Sequence, residues 1–144
     1  MQLFDLLHDY QHLRAKAALV ALEPSEAVRL EGLEALLGGG PAHDERRRAT
    51  RFGFPRALPV HVVPKGHGGF VPAQLRELGA EGASLFLDEP LAQGERVLLC
   101  FDDEERSLRF EMPAVLVWQH DGQAGIRFEG MPARRKLTDS IRAA

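Results

Sequence analysis

The segment Asp44-Glu45-Arg46-Arg47-Arg48-Ala49-Thr50-Arg51-Phe52 concentrates more chemistry than any other part of this 144-residue chain. Residues 1–40 hold six acids and three bases, residues 41–70 two and six, and residues 71–144 thirteen and nine. A +4 stretch therefore lies between stretches of −3 and −4, in a chain of formal charge −3. A cationic knot in an acidic protein marks a local anion site and not a broad nucleic-acid surface. Arginine supplies nearly all of it, and its planar fork suits bidentate contact with phosphate or the N7/O6 edge of guanine. The plainer reading is a solvated linker whose arginines contact nothing.

Other reactive residue types form no constellation. His8 and His12 are four apart on a helical stretch with Asp9 between them, but no third or fourth ligand lies near in sequence, so they read as a solvated helix face. His43, His61, His67 and His120 are scattered. Lys65-Gly66-His67-Gly68-Gly69 lacks the Gly-Lys-Ser/Thr ending of a phosphate loop and reads as a turn. No G-x-S-x-G elbow or Cys/His pair is present, so an enzyme is not expected, nor a resident cofactor or metal. The lone Cys100, within Val97-Leu98-Leu99-Cys100-Phe101, reads as a small buried hydrophobe and fits a reducing cytoplasm. No apolar run approaches the roughly 20 residues of a membrane span, and the N-terminus lacks a basic signal-peptide start. A cytoplasmic protein without membrane insertion is expected.

The elements that must carry the arginines follow from periodicity. Leu3, Leu6, Tyr10, Leu13, Ala17 and Val20 recur at spacings of three and four and predict a helix over residues 3–21. Glu23-Pro24-Ser25 interrupts it, and a second helix over residues 25–37 carries Val28, Leu30, Leu33, Leu36 and Leu37 until Gly38-Gly39-Gly40 stops it. From Pro55 the period becomes two. Six short strands are predicted, near residues 58–62, 70–78, 83–87, 95–101, 107–118 and 124–128, with a bulge or edge expected at Pro113. Strands this close together, with tight turns between, imply an antiparallel barrel. A final helix is predicted from Met131-Pro132 to Ala144, with Leu137 and Ile141 one turn apart, placed to plug the barrel mouth or pack on the N-terminal pair.

Arg47-Arg48-Ala49-Thr50-Arg51, followed by six strands, resembles the PilZ domain family, which has an R-x-x-x-R motif in the linker entering a β-barrel. That family's second motif, D/N-x-S-x-x-G, falls here at Glu77-Leu78-Gly79-Ala80-Glu81-Gly82, and Val117-Trp118 with Gly125-Ile126-Arg127-Phe128 is similar to its late pattern. The resemblance spans residues 44–131. It leaves the N-terminal helices outside it, and together with the elements read from periodicity it gives an expected mainly β, α+β architecture: a helical hairpin extension (1–40), a basic linker (41–56), and a six-stranded antiparallel barrel with a C-terminal helix (57–144).

It also implies binding of cyclic di-GMP, a bacterial second messenger, through Arg47 and Arg51 together with Glu77, Gly79 and Gly82. Arg46, Arg48 and Arg56 are available as substitute contacts. The second motif departs twice: Glu77 stands for Asp or Asn, and Gly79 for Ser. A missing hydroxyl bond costs about 1 kcal/mol, and a mis-set carboxylate that leaves a guanine donor unpaired about 1–3 kcal/mol more. Affinity should fall roughly 30- to 1,000-fold. The expected function is therefore a non-catalytic regulatory adaptor acting through protein contacts, with weak or lost cyclic di-GMP binding. The alternative is a genuine receptor with substitute contacts. The stripe Leu6, Tyr10, Leu13, Leu30, Leu33 and Leu37 is expected to be the interaction surface, docking a partner or a second copy, unless it packs on the barrel. Phe128 and Trp118 are expected in the core, with an exposed Trp118 at a partner surface as the variant.

Overall fold

A computed structural model describes residues 2–37, 51–66 and 69–137. Two helices, α1 (Gln2–Ala17) and α2 (Pro24–Leu37), precede the strands β1 (Arg51–Pro64), β2 (Val71–Gly79), β3 (Gly82–Phe86), β4 (Arg96–Asp103), β5 (Leu108–His120), β6 (Gln123–Phe128) and β7 (Ala133–Lys136). β1-β2-β3 and β4-β5-β6 are each antiparallel meanders. β1 pairs with β4 and β3 with β6, which closes the two meanders into a six-stranded barrel. β7 is added to the start of β5.

Alternation decides which side chains enter. Val97, Leu99 and Phe101 of β4, and Phe110, Met112, Ala114 and Leu116 of β5, all point inward. Phe128 is buried at 7% exposure. Cys100 faces the other way yet is only 3% exposed; burial pushes its thiol up to about 12, which leaves it inert as a nucleophile. Of the bulge or edge expected at Pro113, the bulge is absent, since Pro113 sits in regular register opposite Leu98; on its other side the β7 ladder ends at Glu111 and the β6 ladder begins at Ala114, so it pairs there with neither. The β5 irregularity falls between Leu116 and Trp118 instead.

The C-terminal helix expected from residue 132 is corrected: Ala133–Lys136 pair with Glu111–Leu108 as β7, and residues 138–144 lie outside the description. The role foreseen for that helix falls to α1. Phe4 enters the barrel end, stacks on Phe101 at 4.1 Å between centroids, and tilts against Phe110 at 5.8 Å; Leu7 joins the same core. Fully burying each such side chain contributes about 1.5–3 kcal/mol.

α1 ends at Ala17, so Leu19 and Val20 lie on an exposed turn. α2 starts on Pro24, with the Glu26 carboxylate accepting the Glu23 N–H at 3.0 Å, the reciprocal half of a capping box. Lys16–Glu26 (2.6 Å) and Arg29–Asp9 (3.0 Å) tie the two helices together. The stripe proposed as an interaction surface is consumed within the chain. Tyr10, Leu13, Leu33 and Leu37 are buried with Ala80, and Leu6 and Leu30 pack against them. Val28 and Leu36, assigned to the apolar side of α2, face solvent instead. The reason is that the β2–β3 turn offers the hairpin an apolar seat. The segment 51–56, expected as linker, is the beginning of β1.

Candidate functional site

Five strands bring one row of residues together on the outer barrel face. Gly53 lies opposite Glu77, Glu77 opposite Ser84, Ser84 opposite Gly125, and Gly125 opposite Trp118. Neighbouring strands are about 4.8 Å apart, so the row from Glu77 to Trp118 spans about 14 Å. It crosses an open cleft of about 750 Å³ lined by Arg76, Glu77, Glu81, Ser84, Trp118 and Arg127, among others.

Two bulges shape this cleft. On β2 the register shifts between Leu75 and Glu77, so Arg76 and Glu77 both lie outside the core while Leu75 and Leu78 stay in it. On β5 the shift between Leu116 and Trp118 does the same for Val117 and Trp118, which are 39% and 43% exposed. An extra residue lets two successive side chains face one way, which strict alternation forbids. That is why Trp118 lies on the surface, whereas Phe128, paired with Ala114 on β5, lies in the core.

The indole needs space that a glycine provides. A Cβ built on Gly125 would overlap the pyrrole ring of Trp118, so the indole lies directly across the β6 backbone. The two-residue turn Asp121-Gly122, with positive φ at both positions, sets the register that brings them opposite. Gly82 is also demanded by packing: a Cβ there would run into the Ile126 carbonyl of β6. Ser84 is 7% exposed, and its buried hydroxyl has no hydrogen-bond partner among the described residues. A buried polar atom left without a partner invites a ligand, because it is already desolvated.

Beside the cleft, the β2–β3 turn is covered. Gly79 and Ala80 are buried. The Gln11 amide donates to the Ala80 carbonyl. Tyr10 Oη donates to Glu81 Oε1 at 2.8 Å, and the Arg14 guanidinium pairs with Glu81 Oε2. Arg14 also reaches Tyr10 Oη at 3.2 Å. Burial, and then the bond to Glu81, raise the Tyr10 pKa well above its ordinary value. The same carboxylate raises that of Arg14. Glu81 thus belongs both to the helix clasp and to the cleft lining.

Of the residues singled out from sequence, Glu77 and Gly82 line the cleft, while Gly79 is buried at the end of β2. Arg51, at the start of β1, pairs with Gly79 across the β1–β2 ladder, so the backbone of the first motif meets the second. Arg46, Arg47 and Arg48 lie outside the described residues. The structure adds Arg76, Ser84, Trp118 and Arg127. Ser84 carried a signal, as the one polar residue in the apolar run Ala83–Leu87. Arg76 carried a fainter one, because Leu75-Arg76-Glu77-Leu78 sets two charged residues in succession and so breaks the two-residue period, as a bulge does.

Among the described residues, no helix is long and apolar enough to cross a membrane. A family model described as PilZ domain matches residues 45–143. A crystal structure of the PilZ domain of CeSA from a cellulose-synthesizing bacterium is 18% identical, with a TM-score of 0.47, over 56% of this chain and 80% of that one. No curated protein matches.

Proposed function

The chain belongs to the PilZ domain family, and from that premise we propose that it is a non-catalytic regulatory adaptor whose cyclic di-GMP site is weakened. One observation carries this reading: the turn that would fix a guanine base is seated under the chain's own helix. Gly79 supplies no hydroxyl and is buried, and the neighbouring Glu81 is held by Tyr10 and Arg14. A base that reached the turn would have to displace α1, against the apolar cluster of Tyr10, Leu13, Leu33 and Leu37. What remains is charge-assisted attraction, which is salt-sensitive and discriminates poorly among nucleotides. The output runs through protein contacts, and a cytoplasmic location goes with that role.

A receptor reading draws on a different observation. The cleft is open, holds the orphan hydroxyl of Ser84, and carries Arg76 and Arg127 on its lining. Calorimetric titration of the full chain with cyclic di-GMP at physiological salt separates the two. The adaptor reading expects dissociation constants above the micromolar range, with GMP competing at similar strength. Submicromolar, selective binding would replace it with the receptor reading.

A further inference from the structure

Burying one side of α2 leaves its other side uncovered. Leu30, Leu33 and Leu37 turn toward α1 and the β2–β3 turn, so the opposite side faces solvent. That side is apolar. Val28 is 71% and Leu36 58% exposed, and Gly32 and Ala35 between them are exposed as well. At about 3.6 residues per turn, these four fall within an arc of about 100°. A Cβ on Gly32 would meet nothing within 4 Å, so the middle of the stripe is an open notch. Leu19 and Val20, on the turn between the helices, add two more exposed apolar side chains to the hairpin.

The charges around the stripe select its occupant. The hairpin carries three bases, and each is already answered: Arg14 by Glu81, Lys16 by Glu26 and Arg29 by Asp9. Of its six acids, Asp5, Asp9 and Glu26 are paired, whereas Glu23, Glu31 and Glu34 have no ion pair among the described residues. Glu31 and Glu34 lie along one flank of the stripe, and Glu23 precedes its first turn. An antiparallel pairing with a second copy would set this acidic flank against itself, and a parallel one would meet Arg29, which Asp9 already holds. A membrane surface is disfavoured as well, since interfacial helices carry lysine and arginine beside their apolar face.

We propose that the outer face of α2, centred on Val28, Gly32 and Leu36, docks an amphipathic helix of a partner protein whose apolar stripe is edged with lysine or arginine. The inference rests on the adaptor reading and names the surface and the class of partner through which that output runs. The partner's apolar residues cover Val28 and Leu36, its backbone comes close over Gly32, and its cations face Glu23 and Glu31. Docking there leaves the cluster of Tyr10, Leu13, Leu33 and Leu37 in place on the opposite side of α2.

The test titrates the full chain, by fluorescence anisotropy, with labelled synthetic helices. One has a leucine stripe with lysine flanks, one the same stripe with glutamate flanks, and one is a scrambled lysine peptide without a stripe. The lysine-flanked helix should bind best. Val28→Gln/Leu36→Gln should weaken it about tenfold or more, because the covered apolar area is lost. Glu23→Lys/Glu31→Lys should weaken it about fivefold at low salt and less at high salt, and should make the glutamate-flanked helix the better ligand. All four side chains are exposed, so melting temperatures should stay at the parent value. Equal binding of the scrambled peptide, undiminished binding to Val28→Gln/Leu36→Gln, or no binding up to millimolar concentration overturns the docking face and leaves the adaptor reading standing. A parent dimer in light scattering that this variant loses overturns it in favour of a second copy. Co-sedimentation with phosphatidylglycerol vesicles that the variant loses overturns it in favour of a membrane. Submicromolar selective binding of cyclic di-GMP, with the helix still held through Val28 and Leu36, overturns the adaptor reading alone and leaves the docking face intact.

Discussion

At its start α1 meets the barrel through carbon, with Phe4 and Leu7 sunk among Phe101 and Phe110; near its end it meets the barrel through polar groups, with Tyr10, Gln11 and Arg14 set on the Ala80–Glu81 turn. The first contact is large and non-directional, so it fixes the position of the helix cheaply in sequence terms and tolerates small rearrangement. The second is directional and charged, so it fixes the turn to specific atoms and responds to neutralisation. One helix therefore carries an anchor and an adjustable contact about two turns apart. The lesson is that the same element can be indispensable to the fold at one end and to the site at the other.

The largest effect belongs to the apolar anchor. Phe4→Ala should destabilise the protein by about 3–5 kcal/mol in denaturant unfolding, because it leaves a cavity beside Phe101 and Phe110. An unchanged midpoint would show that α1 does not enter the barrel. Cutting the adjustable end should do less. Tyr10→Phe keeps the buried ring and removes only the hydroxyl, and Glu81 keeps Arg14, so a loss of about 1–2 kcal/mol is expected. A loss equal to that of Phe4→Ala would make the polar end the true anchor.

The smallest effect belongs to the middle of the helix. His8 packs edge-on with Phe110, and its pKa is lowered, chiefly by burial, which outweighs the hydrogen bond its ring makes to the Asp9 carboxylate. The unfolded chain then binds a proton at His8 near pH 6.5 that the folded chain resists. Stability contributed by neutral His8 is full above that pH, declines as pH falls through about 6.5, and is exhausted below the lowered folded value. Melting temperatures of the parent and of His8→Gln should diverge less at pH 5.5 than at pH 7.5. A gap that widens on acidification would mean that His8 is stabilised as the cation instead.

Much of this architecture was legible in the chain. Alternation of Leu58, Val60 and Val62 with Pro59 and His61 and spacing of three and four in Leu6, Tyr10 and Leu13 depend only on which face is dry, and that is local information. The site was legible in part. Glu77 and Gly82 were found by motif, but Trp118 was expected first in the core, because the bulge at Val117 inverts its facing without altering composition. The role of α1 as the plug was missed because Phe4 reads as one apolar residue in a stripe, and only the closed barrel shows that the stripe's first turn has a mouth to fill. β7 was missed for the opposite reason. Ala133-Arg134-Arg135-Lys136 has no apolar period at all, and it is a strand only because β5 extends past β6 and offers it a free ladder.

That added strand has a consequence for how copies of the protein meet in crowded solution. Closing six strands into a ring removes every barrel edge, but β7 pairs with β5 and with no other strand among the described residues, so within them its far side is a sheet edge. Such an edge is a template for cross-molecule sheet growth. Here it consists of one alanine and three basic residues, with Arg134 drawn toward Asp5, Arg135 toward Glu111, and Lys136 exposed. A second copy approaching edge to edge would set arginine and lysine against arginine and lysine. The basic composition of β7 thus works as a guard rail: its charge disfavours pairing along this edge, and replacing it with threonine or valine is expected to raise aggregation without changing any contact in the core.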